Sequence, residues 1–160
     1  MIEGFESLNE DQFETLRETI AWITILIAGA DGEIDATETA WAEKLTKIRS
    51  YDIQQELAPF YKEVGKDFSD KMSRLLERMP SDKDERRELL SRKIRQVNEI
   101  LPLLDNEKAY HLYKSYTSFA HHVAKSSGGF LGFFSVSSEE KKLVDLPMLN
   151  PVELEEGNED

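Results

Sequence analysis

Residues 13–28, with the sequence FETLRETIAWITILIA, determine the architecture expected for this chain. The apolar residues step by three and four positions, the spacing that places side chains on one face of an α-helix. In the second half the stripe widens to almost every position, which predicts a helix that is buried on most sides. The stripe consists of Phe13, Leu16, Ile20, Ile23 and Ile27, and it is widened by Trp22, Ile25, Leu26 and Ala28.

Helix-start patterns recur along the chain. Asn9 with Gln12 forms a capping-box pattern before the first helix, and Asp35 with Glu38 forms another before the second. Further helices are predicted at 51–79, divided in two by Pro59 and Gly65; from the cap Ser81 to about Leu101, ended or kinked by Pro102; from Asn106 to about 126; and from Ser137 to Pro147. Because no segment alternates apolar and polar residues as a strand does, we predict an all-α fold of about seven helices.

Composition limits the classes of function. The 160 residues carry a net charge of −12 and include no cysteine. Nucleic acids and anionic lipids repel such a chain, so neither is expected as a partner, and thiolate metal sites are excluded. The start is acidic and no apolar run approaches the roughly 18 residues of a membrane span, so we expect a cytoplasmic protein. We predict one domain over 1–149 and an acidic, disordered tail over 150–160.

The segment DGEIDATE, residues 31–38, matches the second half of an EF-hand calcium loop. Side chains of Asp31, Asp35 and Glu38, with the carbonyl of Glu33, would offer about five oxygens, whereas calcium takes about six to eight. The loop positions that supply the first two ligands fall on an isoleucine and a glycine, which excludes an ordinary EF-hand. Two interpretations stay open: a helix cap and turn alone, or a cap combined with a weak Ca²⁺ or Mg²⁺ site.

The end of the first helix has a second copy in the chain. Residues 27–32, IAGADG, resemble residues 123–128, VAKSSG, and a capping pair follows each segment. Ser137 with Glu140 is the later pair, and the later copy carries an insertion rich in Gly and Phe. The pattern predicts a duplicated helical unit. The alternative is that helix–turn–helix units look alike in any helical protein.

The helix end IAGADGEID, together with its later copy, resembles the TerB-like domain of tellurite-resistance proteins, also found at the start of DjlA-type membrane co-chaperones. The similarity is strongest at residues 20–48 and 116–143. It implies two helical repeats related by a pseudo-twofold axis around two central helices, those ending near residues 30 and 126. It also implies a stress or tellurite-response association and an acidic metal-binding surface at Asp31, Asp35 and Glu38.

Two segments are candidates for binding a protein partner. Phe130, Phe133 and Phe134 are expected either to fold back over the core or to form an apolar patch for a partner or a second copy of the chain. Residues 71–95 hold nine basic against five acidic residues, including Arg86 and Arg87. This segment is either a solvated helix face or a docking surface for an acidic partner.

No catalytic motif is present, so we expect a protein that is not an enzyme. The three histidines, at positions 111, 121 and 122, do not have the spacing of paired zinc ligands on a helix. We therefore expect a non-catalytic module that binds a divalent cation at residues 31–38. The alternative is a metal-free interaction module or homodimer that uses the basic segment or the Phe-rich turn.

Overall fold

The computed structural model of the chain describes residues 2–30, 34, 36–51, 56–126 and 142–155. Within these residues there is no strand, which confirms the all-α prediction. Six helices have eight residues or more: α1 (Glu10–Ala28), α2 (Ala36–Tyr51), α3 (Ala58–Gly65), α4 (Phe68–Arg78), α5 (Lys83–Arg95) and α7 (Asn106–Lys125). A four-residue helix, α6 (Val97–Ile100), follows α5, and 3₁₀ turns occupy Leu101–Leu103 and Leu143–Asp145.

Helix α1 lies at the centre of the molecule and contacts each of the other six helices. Every residue from Thr19 to Ala28 is buried, as the widened apolar stripe predicted. Both hydroxyls in this stretch donate within the same helix, Thr19 to the carbonyl of Thr15 and Thr24 to that of Ile20. Helix α1 can therefore be surrounded on all sides without leaving either hydroxyl unpaired.

Helix α7 packs beside α1 along the core. The Tyr116 hydroxyl donates to the carbonyl of Leu16 at 2.8 Å, and both residues are fully buried. Burial raises the pKa of Tyr116 well above its ordinary value, so the hydroxyl stays protonated and remains a donor. The hydrogen bond thus fixes the position of one long helix along the other.

The predicted helix caps are confirmed in part. Gln12 N–H donates to Asn9 Oδ1, and Asn9 N–H donates to Gln12 Oε1, which completes the predicted capping box of α1. The cap of α5 is Asp82 and not Ser81, because the Asp82 carboxylate accepts from Glu85 N–H at 3.0 Å. An anionic acceptor interacts better than a hydroxyl with the positive end of a helix. The predicted helix to Leu101 is interrupted at Gln96, between α5 and α6.

Two asparagine side chains bind the backbone of the chain after α7. Asn106 Nδ2 donates to the Glu153 carbonyl at 2.9 Å, and Asn106 Oδ1 accepts from Glu155 N–H at 2.7 Å. Asn98 Nδ2 likewise donates to the Met148 carbonyl, and Asn98 Oδ1 accepts from Asn150 N–H. The disordered tail over 150–160 stays a prediction.

Helix α5 closes the C-terminal end of α1. Arg86 is only 5% exposed, and its Nη2 donates to the Gly29 carbonyl at 3.0 Å. A Cβ at Gly29 would lie 2.9 Å from that nitrogen, so any other residue here would displace the end of the Arg86 side chain. Arg87 donates to the next carbonyl, that of Ala30, at 3.4 Å. Cations at this end also interact favourably with the negative end of the helix dipole.

Replacing Arg86 by Met should lower the free energy of unfolding by about 1.5–3 kcal/mol, since a charged hydrogen bond to a buried carbonyl is lost. Urea unfolding measures the difference. Arg92→Met is the control, because Arg92 is exposed on the same helix and its loss should cost less than about 0.5 kcal/mol. Equal stabilities of the two variants would contradict this role of Arg86.

Candidate functional site

The acidic turn predicted to bind metal connects α1 to α2. Of its four predicted ligands, Asp31, Glu33 and Asp35 lie outside the described residues. Glu38 is in the first turn of α2 and is 8% exposed. The structure therefore places one of the four candidate ligands, and this one is buried at a helix start.

Cations lie beside the start of this turn. Arg86 and Arg87 donate to the carbonyls of Gly29 and Ala30, the two residues that precede Asp31 in the sequence. Positive charges at this position oppose the approach of a metal cation. The two arginines were predicted to bind a partner, but the buried Arg86 side chain is occupied inside the molecule.

Of the other segments predicted to bind a protein partner, the basic segment is described by the structure and the three phenylalanines are not. Phe130, Phe133 and Phe134 lie outside the described residues. In the basic segment, Lys71 pairs with Glu14, and the Lys93 ammonium lies 5.4 Å from the centre of the Trp22 ring. Five of the nine bases are exposed: Arg74, Arg78, Lys83, Arg92 and Arg95. The basic face is thus smaller than the sequence indicated.

A different arginine, Arg49, forms the most unusual polar cluster among the described residues. It projects from the last turn of α2 and is 6% exposed. Nη1 donates to the Tyr61 hydroxyl at 2.7 Å and to the Ser115 carbonyl at 3.0 Å. Nη2 donates to Ser118 Oγ at 2.9 Å and lies 3.3 Å from His122 Nδ1. All four partners are formally neutral groups.

Aromatic rings cover the guanidinium of Arg49. Its carbon lies 5.2 Å from the centre of the Tyr61 ring and 5.3 Å from that of Phe119, distances at which ring faces attract cations. Among the described residues, no carboxylate lies within ion-pair distance of Arg49. Buried charges are normally paired with an opposite charge, whereas within the described part of the chain the positive charge of Arg49 is stabilised only by dipoles and rings.

Arg49 lies at the base of a groove of about 700 Å³ between α2 and α7. The lining residues are Leu45, Ile48, Arg49, Glu56, Leu57, His111, Lys114, Ser115, Ser118 and His122. A second hollow, of about 550 Å³, lies on the other side of α7 and shares Lys114, Ser118 and His122 with the groove. The groove therefore combines an apolar wall with a cationic base.

His122 is held neutral by its surroundings. Burial is the largest cause of its lowered pKa, followed by the positive charge of Arg49, then by Lys125 and His121. A neutral ring whose Nδ1 accepts from Arg49 carries its proton on Nε2, which leaves Nε2 as a donor. The site thus offers cations and a donor nitrogen, the groups that bind an anion.

A second cluster lies at the other end of the same groove. His111 Nε2 is 3.5 Å from Glu56 Oε2 and 3.7 Å from Glu107 Oε1. Lys108 Nζ is 3.0 Å from the other Glu56 oxygen. Histidine, glutamate and glutamate in this arrangement are groups that could hold a metal ion.

The sequence motifs did not predict either cluster, although part of each cluster is visible as a helical spacing in the sequence. Arg49 follows Ala42 and Leu45 at helical spacing and belongs to their buried stripe, so a cation on an apolar face was visible. Glu107 and His111 are four residues apart on α7. The spacing among the three histidines alone does not reveal this pair. Glu56 lies 51 positions before Glu107 in the sequence, and no local pattern connects them.

Comparison with known proteins gives no match to a family model, to a curated protein or to a solved structure. The similarity to the TerB-like domain therefore stays an expectation based on sequence motifs. Among the described residues, no helix combines the length and the apolar character needed to cross a bilayer.

The pKa of His122 should be below 6.5, its ordinary value. Because the folded state disfavours the charged ring, the unfolded state takes up the proton first as the pH falls. This residue should therefore lower the free energy of unfolding as the pH falls through 6.5, until the folded pKa is reached. NMR titration of the ring protons measures the pKa, and a value at or above 6.5 would contradict the assignment.

Proposed function

We propose that the chain is a non-enzymatic helical module that binds a small organic anion in the groove over Arg49. The observation that carries this proposal is the buried guanidinium that no described carboxylate neutralises. An anionic ligand supplies the missing charge at a guanidinium group whose residue is only 6% exposed, where attraction is stronger than in bulk water.

The distribution of charge supports an anion. The whole chain carries −12, and yet the groove places Arg49 and Lys114 beside the donor ring of His122. Among the described residues, Glu56 is the acidic residue that lines the groove, and it lies beside Lys108. A small anion repelled by most of the surface is therefore attracted at this position.

The shape of the groove indicates the rest of the ligand. A volume of about 700 Å³ is within the usual range of small-molecule sites, about 300–1,000 Å³. Leu45 and Leu57 are buried in its wall, and Ile48 is 49% exposed beside them. We therefore propose a ligand with an apolar body and an anionic head, the head directed to Lys114 and His122.

Hexanoate is a suitable probe, and hexylamine, which has an apolar chain longer by one carbon and the opposite charge, is the control ligand. Hexanoate should bind and shift the amide signals of Ser118 and His122 in NMR spectra. It should also raise the pKa of His122, because a bound anion favours the charged ring.

Two substitutions test whether hexanoate binds in the groove over Arg49. Lys114→Gln should weaken hexanoate binding about threefold to tenfold, and Arg49→Gln about tenfold or more, where tenfold is about 1.4 kcal/mol. Lys66→Gln is the control, since Lys66 is exposed outside the groove. Lys114 is exposed, so its variant remains informative if Arg49→Gln does not fold. Equal binding of hexylamine, or equal effects of Lys114→Gln and Lys66→Gln, would contradict the proposal.

Weak binding of Ca²⁺ or Mg²⁺ at the turn 31–38 is a second proposal. The loop-like spacing of Asp31, Asp35 and Glu38 supports it, as does the similarity to the TerB-like domain, which suggests a stress or tellurite-response association. The cations of Arg86 and Arg87 beside the preceding carbonyls oppose it. We therefore propose affinity in the millimolar range only.

Calcium titration should shift amide signals near Gly32 at millimolar metal. Asp31→Asn and Glu38→Gln should remove these shifts, since each loses an anionic ligand. Glu43→Gln is the control, because Glu43 belongs to the same helix as Glu38 and lies outside the turn. Absence of shifts in the unmodified chain, or shifts that both substitutions leave unchanged, would contradict the second proposal.

A protein partner, or a second copy of the chain, is the remaining proposal from the sequence. Exposed bases in the segment 71–95, among them Arg74, Arg78 and Arg92, support a surface for an acidic partner. A cytoplasmic location likewise remains a proposal from composition.

A further inference from the structure

Three potential metal ligands converge from two parts of the fold. Glu107 and His111 lie one turn apart on the same face of α7. Glu56 lies in the turn that precedes α3 and reaches the same point from across the groove. One oxygen of each glutamate and one histidine nitrogen all lie within 4.8 Å of one another.

The distances fit the geometry of a tetrahedral ion. Zinc binds nitrogen and oxygen at about 2.0–2.2 Å, so two of its ligand atoms lie about 3.3–3.5 Å apart. His111 Nε2 is 3.5 Å from Glu56 Oε2 and 3.7 Å from Glu107 Oε1. Small rotations of exposed side chains are enough to bring both pairs to the required distance.

These separations are not explained by hydrogen bonding. A normal N–H···O bond has a donor–acceptor distance of about 2.7–3.2 Å. His111 Nε2 faces two carboxylates and, within the described residues, makes no hydrogen bond of that length to either. The nitrogen lies 3.5 Å from one carboxylate and 3.7 Å from the other, a spacing suited to an ion between them.

Lys108 explains how Glu56 is positioned. Its ammonium is 3.0 Å from Glu56 Oε1, which leaves Oε2 facing His111. Hydrogen bonds to the non-ligating oxygen commonly orient metal-binding carboxylates. The same ammonium places a positive charge near the ion, so it lowers the affinity.

We propose that Glu56, Glu107 and His111 bind a divalent transition metal of the Zn²⁺ type, with a fourth position open to the groove. Imidazole with carboxylates favours zinc, cobalt or nickel, whereas calcium takes oxygen ligands only. The site shares no residue with the turn 31–38. It shares the groove-lining residues Glu56 and His111 with the anion site proposed above, but it uses none of Arg49, Lys114 and His122.

Cobalt provides the direct test, because tetrahedral Co²⁺ absorbs visible light more strongly than the hydrated ion. Co²⁺ added to the full chain should give this absorption, and Zn²⁺ should displace it. His111→Gln and Glu107→Gln should each weaken Zn²⁺ binding at least tenfold in calorimetry. Glu107 is 69% exposed, so its replacement leaves the fold intact.

One further variant completes the experiment. His121→Gln is the matched control, since His121 lies on the same helix and pairs with Asp145. It should leave Zn²⁺ affinity unchanged. Absence of Co²⁺ absorption at millimolar metal, or Zn²⁺ binding that depends on His121 as much as on His111, would overturn the proposal.

Discussion

Burial of the C-terminal half of α1 is the constraint on which the rest of the structure depends. Ten consecutive residues, Thr19 to Ala28, lose contact with water, so the helix needs neighbours on every side. All six other helices supply them. The end of the helix is buried too, and its last carbonyls have no hydrogen-bond donor within the helix. Arg86 and Arg87 of α5 provide donors there, and Gly29 provides the space.

Arg49 is also buried, but its surroundings differ from those of Arg86, and so does its role. Arg86 donates to carbonyls that need donors, whereas Arg49 is held by a hydroxyl network, a neutral histidine and two aromatic rings. Helices α2, α3 and α7 all contribute to this network, so its geometry is fixed by packed elements. The groove above it retains a net positive character on an acidic protein. This contrast is the reason to place ligand binding at Arg49 and a stabilising role at Arg86.

The sequence predicted those features whose causes are local. The periodic stripe of α1, the capping box at Asn9 and the division of residues 51–79 at Gly65 all depend on neighbours within a few positions. The hydrogen bonds from Asn98 and Asn106 to residues 150–155 could not be predicted, because these asparagines lie about fifty positions away in the sequence. The candidate site followed the same rule: Glu107 with His111 was detectable as a helical pair, but Glu56 was not.

By itself, therefore, the sequence determined an all-α fold centred on one apolar helix, and an acidic turn whose spacing resembles that of a metal site. Only the tertiary structure decided that Arg49 is buried without a described carboxylate, and that Glu56 meets the Glu107–His111 pair. The physical reason is that helix formation depends on periodicity and caps, which involve residues only a few positions apart in the sequence. The balance of buried charge depends on which helices pack together, and packing connects residues such as Arg49 and His122, 73 positions apart.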